Sequence, residues 1–378
     1  MTKQQVFKAF VAACMGMAFF GITMMAVGSV LPSLSDKLSL TDVDRGVLAS
    51  TLTAGIFVGS VFFGPVCDHW GHRGIFLASC VGVLLGLFGL SLAGSLGMII
   101  PCYLLIGVGG GVLNGQTNTL VSDLYDDNNR GSRLSLLGAF YGVGAIAITC
   151  LVSVTKGKIP FETMLQCIGA VVLLCTVFCF TVKFPEPKQA QSFPIKDAIK
   201  MLGQPVLLIM SLVLMLESTV ESVTNSLSTT YFENMGIAEV GFLLTIMSIA
   251  LMVARFVMSA ISNKVSQQAM LYCFLLILLC GYIVMYMATT FAVAAIALTL
   301  VGIGTAATYP VVLGLLGGRY KSMSGTAFGI AIAIALAGST VFNMLVGSSL
   351  LGMLPVAMIV AVVVMITLFT IGNKLLNE

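Results

Sequence analysis

Two glutamates lie inside an otherwise apolar stretch of this chain, and their spacing places them on one helical face. The stretch 210–231 contains Glu217 and Glu221 four residues apart, with Asn225 four residues further on. A helix that crosses a bilayer over 205–231 keeps both acids away from its ends. Carboxylates at that depth are costly, so we expect them to face protein or a water-filled cavity and to have a function.

Close like charges disfavour double ionisation, so one of the two acids is expected to hold a proton near neutral pH. We therefore predict Glu221, assisted by Glu217, as proton-coupling residues, with Asn225 on the same face as a substrate contact. One alternative is a structural buried acid that backbone or amide donors satisfy. Sodium in place of the proton is another.

Composition places most of the chain in lipid. Hydrophobic residues make up 58% of it and charged residues only 9%, which is typical of a polytopic membrane protein. The cysteines lie mostly in apolar runs without a C-x-x-C pair, so no metal site is predicted. The absence of a basic block and of a P-loop disfavours a nucleic-acid partner and an ATP-driven pump, and we expect neither a cofactor nor an enzyme.

Short polar breaks divide the chain into twelve apolar segments, which predict an all-α membrane protein. The segments lie at about 8–31, 44–67, 74–94, 98–123, 132–155, 161–182, 206–231, 238–262, 267–289, 291–316, 324–348 and 352–373. The longest break is rich in proline and charge, and it predicts a linker over 184–204 between six-helix bundles at 1–183 and 205–378. The distribution of Lys and Arg predicts that both termini and the linker are cytoplasmic.

The two halves repeat each other. The run from Gly64 to His69 recurs as Ser259 to Lys264, and Gly107-x-Gly109 recurs as Gly302-x-Gly304, both with an offset of 195 residues. Duplicated six-helix halves are typical of secondary transporters, whose substrate site lies near the middle of the membrane where the repeats meet.

The loop Gly64–Arg73 resembles the G-x-x-x-D-(R/K)-x-G-(R/K)-(R/K) pattern of the major facilitator superfamily. Asp68, Gly71 and Arg73 match it, whereas His69 and His72 stand where the family usually has Arg or Lys. The resemblance implies the twelve-helix fold of that family and a gating role for Asp68 and Arg73. A short loop that merely needs glycine and charge is the alternative.

Further stretches are similar to the fucose, glucose and galactose permease branch of that family. They are 107–118, 138–145, 221–231, 302–310 and 325–329. The resemblance, together with the shared face of Asn114 and Asn118, gives candidate substrate contacts, which are Asn114, Asn118, Gln116, Tyr141 and Asn343. Packing between helices is the alternative for each of these side chains.

Two charged residues near helix ends have simpler interpretations. Asp123 is interpreted as a solvated charge at the end of the fourth helix, beside Asp126 and Asp127. Arg255 lies about two turns before the end of the eighth helix and is interpreted as a gate or a snorkelling cation. The expected site then has no deep cation, which favours a neutral substrate.

These features predict a secondary active transporter that moves a small neutral solute, a monosaccharide or polyol, with a proton by alternating access. We expect it to act as a monomer among the lipids of a bacterial plasma membrane. One alternative is a proton-coupled exporter of drugs or lipophilic cations, with methionine and phenylalanine as an adaptable lining. Another is a membrane receptor or scaffold that transports nothing.

Overall fold

The computed structural model describes residues 1–155, 159–187, 195–237, 240–261 and 264–377, and within these ranges it is helical, without strands. The α-helices are α1 (Lys3–Leu38), α2 (Asp42–Trp70), α3 (His72–Leu92), α4 (Leu96–Leu124), α5 (Asp127–Thr155), α6 (Phe161–Phe180), α7 (Ile195–Leu202), α8 (Pro205–Asn234), α9 (Gly241–Ile261), α10 (Gln267–Tyr286), α11 (Phe291–Thr305), α12 (Thr308–Arg319), α13 (Ser324–Leu345) and α14 (Leu354–Asn377).

The predicted number of membrane spans is confirmed. Among the described residues, 12 helical segments are long and apolar enough to cross a bilayer. The helices α11 and α12 together form the tenth of them, Phe291–Arg319, whereas α7 is a short helix inside the predicted linker. Residues 188–194 of that linker lie outside the described ranges, and the orientation of the termini stays a prediction.

The tenth span is interrupted, although its sequence predicts one helix. Ala306 and Ala307 form a turn between α11 and α12. Pro310 explains the interruption, because it has no N–H to donate to Ala306 and its ring collides with that carbonyl in a regular helix. Helical bonding resumes at Val311, whose N–H donates to the carbonyl oxygen of Ala307 at 3.0 Å.

A single residue separates α2 from α3. Gly71 has φ +80°, a conformation that is strained for residues with a side chain, and its N–H donates to the Cys67 carbonyl oxygen at 2.8 Å. The glycine of the Gly64–Arg73 loop therefore makes the sharp turn that places His72 beside the end of α2.

Glycines let α4 approach its neighbours closely, as the run at 107–118 predicts. A Cβ atom at Gly107 would lie 2.5 Å from the carbonyl oxygen of Leu52 on α2. One at Gly109 would lie 2.9 Å from the carbonyl oxygen of Ser79 on α3. Larger residues at these positions would push the helices apart, so α2, α3 and α4 form one tightly packed layer.

The chain forms two compact units. Unit 1 comprises Met1–Leu124, Phe140–Ile195 and Ser322–Gly329, and unit 2 comprises Tyr125–Ala139, Lys196–Lys321 and Ile330–Glu378. The first turns of α13 thus pack with unit 1, and the first turns of α5 pack with unit 2. The division into bundles at 1–183 and 205–378 stays a prediction about the sequence halves.

Candidate functional site

The polar stripe of α8 passes from the protein interior to the surface. The Glu217 residue is only 1% exposed, Glu221 is half-buried and Asn225 is exposed. The Glu217 carboxyl interacts with that of Glu221 and with the charge of Arg255. One oxygen of Glu217, Oε1, is buried without a hydrogen-bond partner among the described residues. The helix therefore presents a carboxyl pair whose inner member has unused hydrogen-bonding capacity.

Arg255 of α9 lies in the interior of unit 2. It is 8% exposed, and its Nη1 donates to the carbonyl oxygen of Gly138 at 2.9 Å. The expectation that the site has no deep cation is therefore wrong. Arg255 lies about two turns from the helix end, which suggested a position near water, but packing against α5 encloses its side chain. Glu217 is an acidic group that interacts with Arg255 in unit 2. The gating role of Arg255 stays a prediction.

The predicted amide contacts of α4 have different surroundings. The Asn118 side chain is 2% exposed, and its Nδ2 donates to the main-chain oxygen of Asn114 at 2.7 Å. The acceptor is the main chain of Asn114, and the side chain of Asn114 is half-buried. Asn118 therefore donates within its own helix, and the roles of both amides as substrate contacts stay predictions.

Tyr141 and Asn343 both lie half-buried, on α5 and α13. The ring of Tyr141 on α5 packs against Phe20 of α1, with centroids 5.3 Å apart. The Nδ2 atom of Asn343 on α13 donates to the Ser222 hydroxyl of α8 at 2.6 Å. Ser222 follows Glu221 directly, so Asn343 lies beside the carboxyl stripe.

Asp68 holds the beginning of α13. Its carboxylate accepts hydrogen bonds from the N–H groups of Gly325 and Thr326, at 3.2 and 2.7 Å, and from the Thr326 hydroxyl at 2.7 Å. All three partners lie in unit 1. A carboxylate at the N-terminus of a helix pairs with unsatisfied N–H groups and with the helix dipole. Asp68 therefore holds the first turn of α13, which belongs to unit 1.

Arg73 makes a weaker contact at the same loop. It is exposed, and its Nη2 donates to the carbonyl oxygen of Phe180 at the end of α6, at 3.1 Å. This bond joins α3 to α6, whereas Asp68 joins α2 to α13. The gating role of Arg73 stays a prediction.

His72 is the centre of a buried polar cluster. Its Nε2 lies 3.0 Å from Asp123 Oδ2, and its Nδ1 lies 3.2 Å from the Cys67 sulfur. Gln116 Nε2 donates to the main-chain oxygen of His72 at 3.3 Å and lies equally close to Nδ1. Since Gln116 is enclosed in this cluster, the structure separates it from the other predicted substrate contacts.

The cluster corrects the interpretation of Asp123 as a solvated charge. Its side chain is 6% exposed, and it accepts a hydrogen bond from the Ser324 hydroxyl at 2.8 Å as well as facing His72. The turn at Gly71 delivers His72 to the end of α4, and this long-range contact is not visible in the local sequence. Asp68 and Asp123 thus both contact the first residues of α13.

Sequence reasoning missed Thr308, the first residue of α12. It is fully buried, and its hydroxyl has no hydrogen-bond partner among the described residues. Pro310 was visible in the sequence, and a proline inside an apolar span predicts freed polar groups near it. The burial of Thr308 depends on packing and had no comparable signal.

Comparisons with known proteins agree with this architecture. The model of the Major Facilitator Superfamily matches residues 12–338 of the chain. A probable metabolite transport protein of Saccharomyces cerevisiae is 32% identical over 132 residues, which are 34% of this chain and 24% of that protein. This chain therefore aligns with about a quarter of that relative.

Two solved structures share the fold over nearly their whole length. The E. coli fucose:proton symporter FucP superposes with a TM-score of 0.84 over 97% of this chain and 98% of that one, at 17% identity. The proton:xylose symporter XylE gives 0.81 over 97% and 95%, at 15% identity. These likenesses establish the fold, and the family model covers most of the sequence. The chain therefore belongs to the Major Facilitator Superfamily and is a multi-pass membrane protein.

Proposed function

We propose that this transporter moves a small neutral polar solute, a monosaccharide or polyol, together with a proton by alternating access. The observation that carries the proposal is the carboxyl pair of α8. Glu217 is almost completely buried in a membrane span, and Glu221 follows one turn later. During alternating access, a carboxyl inside the membrane span faces one side of the membrane and then the other. It can therefore bind a proton on one side and release it on the other.

The groups around this pair favour a neutral solute. Arg255 interacts with an acidic partner, Glu217, and Asn343 and Ser222 add an amide and a hydroxyl beside Glu221. Asn114, which lies in unit 1, is a half-buried amide and is proposed separately as a solute contact. Amides and hydroxyls match the donors and acceptors of a sugar. The two fold neighbours that we compared are named as proton symporters of sugars, which supports the same substrate class.

The roles of the two glutamates differ in this proposal. Glu221 is half-buried and therefore closer to water, so it exchanges the proton. Glu217 is the like-charged neighbour that makes simultaneous ionisation of the pair unfavourable. We place the protein in a bacterial plasma membrane, where a proton gradient is available, and propose that it acts as a monomer.

Uptake into proteoliposomes under an imposed pH gradient tests the proposal. The probes are radiolabelled L-fucose and D-xylose, with a lipophilic cation as the competing class. Glu221→Gln preserves shape and hydrogen bonding but cannot titrate, so we expect it to permit sugar counterflow and to abolish accumulation. Glu233→Gln is the matched control, because Glu233 is an exposed residue of the same helix.

Accumulation by Glu221→Gln at the level of the unmodified protein would refute the coupling role. Accumulation that requires a sodium gradient would replace the ion and keep the site. Uptake of the lipophilic cation without sugar uptake would favour the exporter, and the absence of counterflow for every solute would favour a receptor or scaffold.

A further inference from the structure

Several buried polar atoms of unit 2 have no hydrogen-bond partner among the described residues. Three of them are Oε1 of Glu217, Nε of Arg255 and Oγ1 of Thr308. Their residues are 1%, 8% and 0% exposed. Buried polar groups are nearly always paired in proteins, and an unpaired one is unfavourable unless water, an ion or a ligand satisfies it.

The packing of α12 on α8 places Thr308 at the depth of Glu217. The two helices belong to the tenth and seventh spans and therefore run in opposite directions. Tyr320, which follows α12, donates its hydroxyl proton to Oε1 of Gln204, which precedes α8, at 2.9 Å. Thr308 lies twelve residues before Tyr320, and Glu217 lies thirteen residues after Gln204. Both are therefore about 18 to 20 Å from this contact along their helices.

The packing of α11 on α9 places Arg255 at the same depth. These helices belong to the tenth and eighth spans, so they run in the same direction. Gly302 lies against the main chain of α9 at Met247 and Leu251. Thr308 follows Gly302 by six residues, and Arg255 follows Met247 by eight residues and Leu251 by four. Arg255 also interacts electrostatically with Glu217, which agrees with the level that the two packing relations give.

The interruption of the tenth span explains why the Thr308 hydroxyl is unpaired. In a regular helix a buried threonine donates to a carbonyl three or four residues earlier. Thr305 does so, since its hydroxyl lies 3.0 Å from the Val301 oxygen and 3.1 Å from the Gly302 oxygen. The corresponding carbonyls for Thr308 belong to α11, before the turn at Ala306 and Ala307. The turn therefore frees the hydroxyl for another partner.

We propose that Thr308, Glu217 and Arg255 form a subsite that binds two adjacent hydroxyl groups of the transported solute. The guanidinium Nε donates, the carboxyl Oε1 accepts, and the threonine hydroxyl does either, which matches the alternating donors and acceptors of a vicinal diol. A lipophilic cation would leave Arg255 facing a like charge. The subsite deepens the proposed function, because it rests on a hydroxylated substrate.

Sugar binding to the purified full-length protein tests the subsite, with L-fucose and D-xylose as probes and equilibrium binding as the measurement. Thr308→Val is isosteric and removes only the hydroxyl, so we expect affinity to fall about tenfold. Thr308→Ser keeps the hydroxyl and should bind within about twofold of the unmodified protein. Thr305→Val is the control, because it makes the same change three residues away in a hydroxyl that its own helix satisfies.

The outcomes separate the subsite from the proposed function. Unchanged sugar affinity in Thr308→Val, with transport intact, would overturn the subsite and leave the function standing. Equal losses in Thr308→Val and Thr305→Val would also overturn the subsite, since they would indicate a general effect on packing. If the unmodified protein binds a lipophilic cation, or no probe at all, both the sugar assignment and the diol subsite are overturned.

Discussion

Replacing Asp68 by Asn should loosen the beginning of α13. The carboxylate accepts three hydrogen bonds there, two of them from main-chain N–H groups. An amide has one acceptor oxygen and turns its NH₂ group toward a donor, so at least one N–H loses its partner. A charge-assisted bond contributes about 1.5–3 kcal/mol and the helix dipole about 0.3–1 kcal/mol. We therefore expect the contact to weaken by about 3 kcal/mol.

Hydrogen exchange followed by mass spectrometry measures this change directly. A loss of about 3 kcal/mol corresponds to roughly 100-fold faster exchange at Gly325 and Thr326, if these amides exchange through local opening. Asp44→Asn is the matched control, because Asp44 also accepts bonds at a helix start, from the N–H and hydroxyl of Thr41 at 2.9 and 2.7 Å. It should leave exchange at 325 and 326 unchanged.

The functional consequence follows from the position of the contact at the end of α2. We expect Asp68→Asn to slow net transport while solute affinity stays the same, because a gate controls conversion between states and not the binding contacts. Exchange at Gly325 and Thr326 identical to that of the unmodified protein would refute the structural reasoning. Equal losses of affinity and transport would refute the gating role.

Three further predictions concern other parts of the chain. Glu217→Gln removes the like-charged neighbour of Glu221, so the pH optimum of proton-driven uptake should shift, and an unchanged profile would contradict the pairing. Asn114→Ala should weaken sugar binding by about 1–3 kcal/mol, whereas Asn118→Ala should leave affinity unchanged and lower the melting temperature. Finally, the hydroxyl and N–H of Thr41 hold the pKa of Asp44 below its usual value, so this carboxylate stabilises the start of α2 until the pH falls through that lowered pKa. Thr41→Val should raise the pKa toward 3.8, as followed by NMR titration of labelled aspartate.

The fold was accessible from sequence because the bilayer imposes a strong constraint on composition. Each span needs about twenty apolar residues, so segment length and the breaks between segments predict the number of spans. The loop at Gly64–Arg73 and the glycines of α4 were equally visible, because the turn at Gly71 and the contact at Gly107 each require glycine.

The partners of individual side chains could not be predicted in the same way. Gln116 and Asp123 gain their environment from His72, which a turn brings to the end of α4 from another part of the chain. Arg255 donates a hydrogen bond to a main-chain carbonyl of α5, which is also distant in the sequence. Helical periodicity indicates which residues share a face, but the neighbour of that face depends on tertiary packing. Glu217 could be found because an acid inside an apolar span is rare whatever surrounds it.

The repeat of 195 residues extends beyond sequence to the contacts at the two helix starts. In unit 1, Gly64 packs directly against Gly325 at the start of α13. Its counterpart Ser259 contacts the start of α5 in unit 2, where its carbonyl oxygen accepts a bond from the Ser132 hydroxyl at 2.6 Å. Asn263, the counterpart of Asp68, lies outside the described residues.

The chemistry of these two duplicated contacts is nevertheless different. The start of α13 is held by the carboxylates of Asp68 and Asp123, through main-chain and hydroxyl donors that are largely buried. At the start of α5, Asp127 pairs with Lys321 at 2.9 Å, and both side chains are more than half exposed. Exposed ion pairs contribute little, whereas a buried carboxylate stabilises a contact through every hydrogen bond it accepts. The start of α13 should therefore be the more costly of the two to release, and we predict that loss of Asp68 changes the transport cycle more than loss of Asp127.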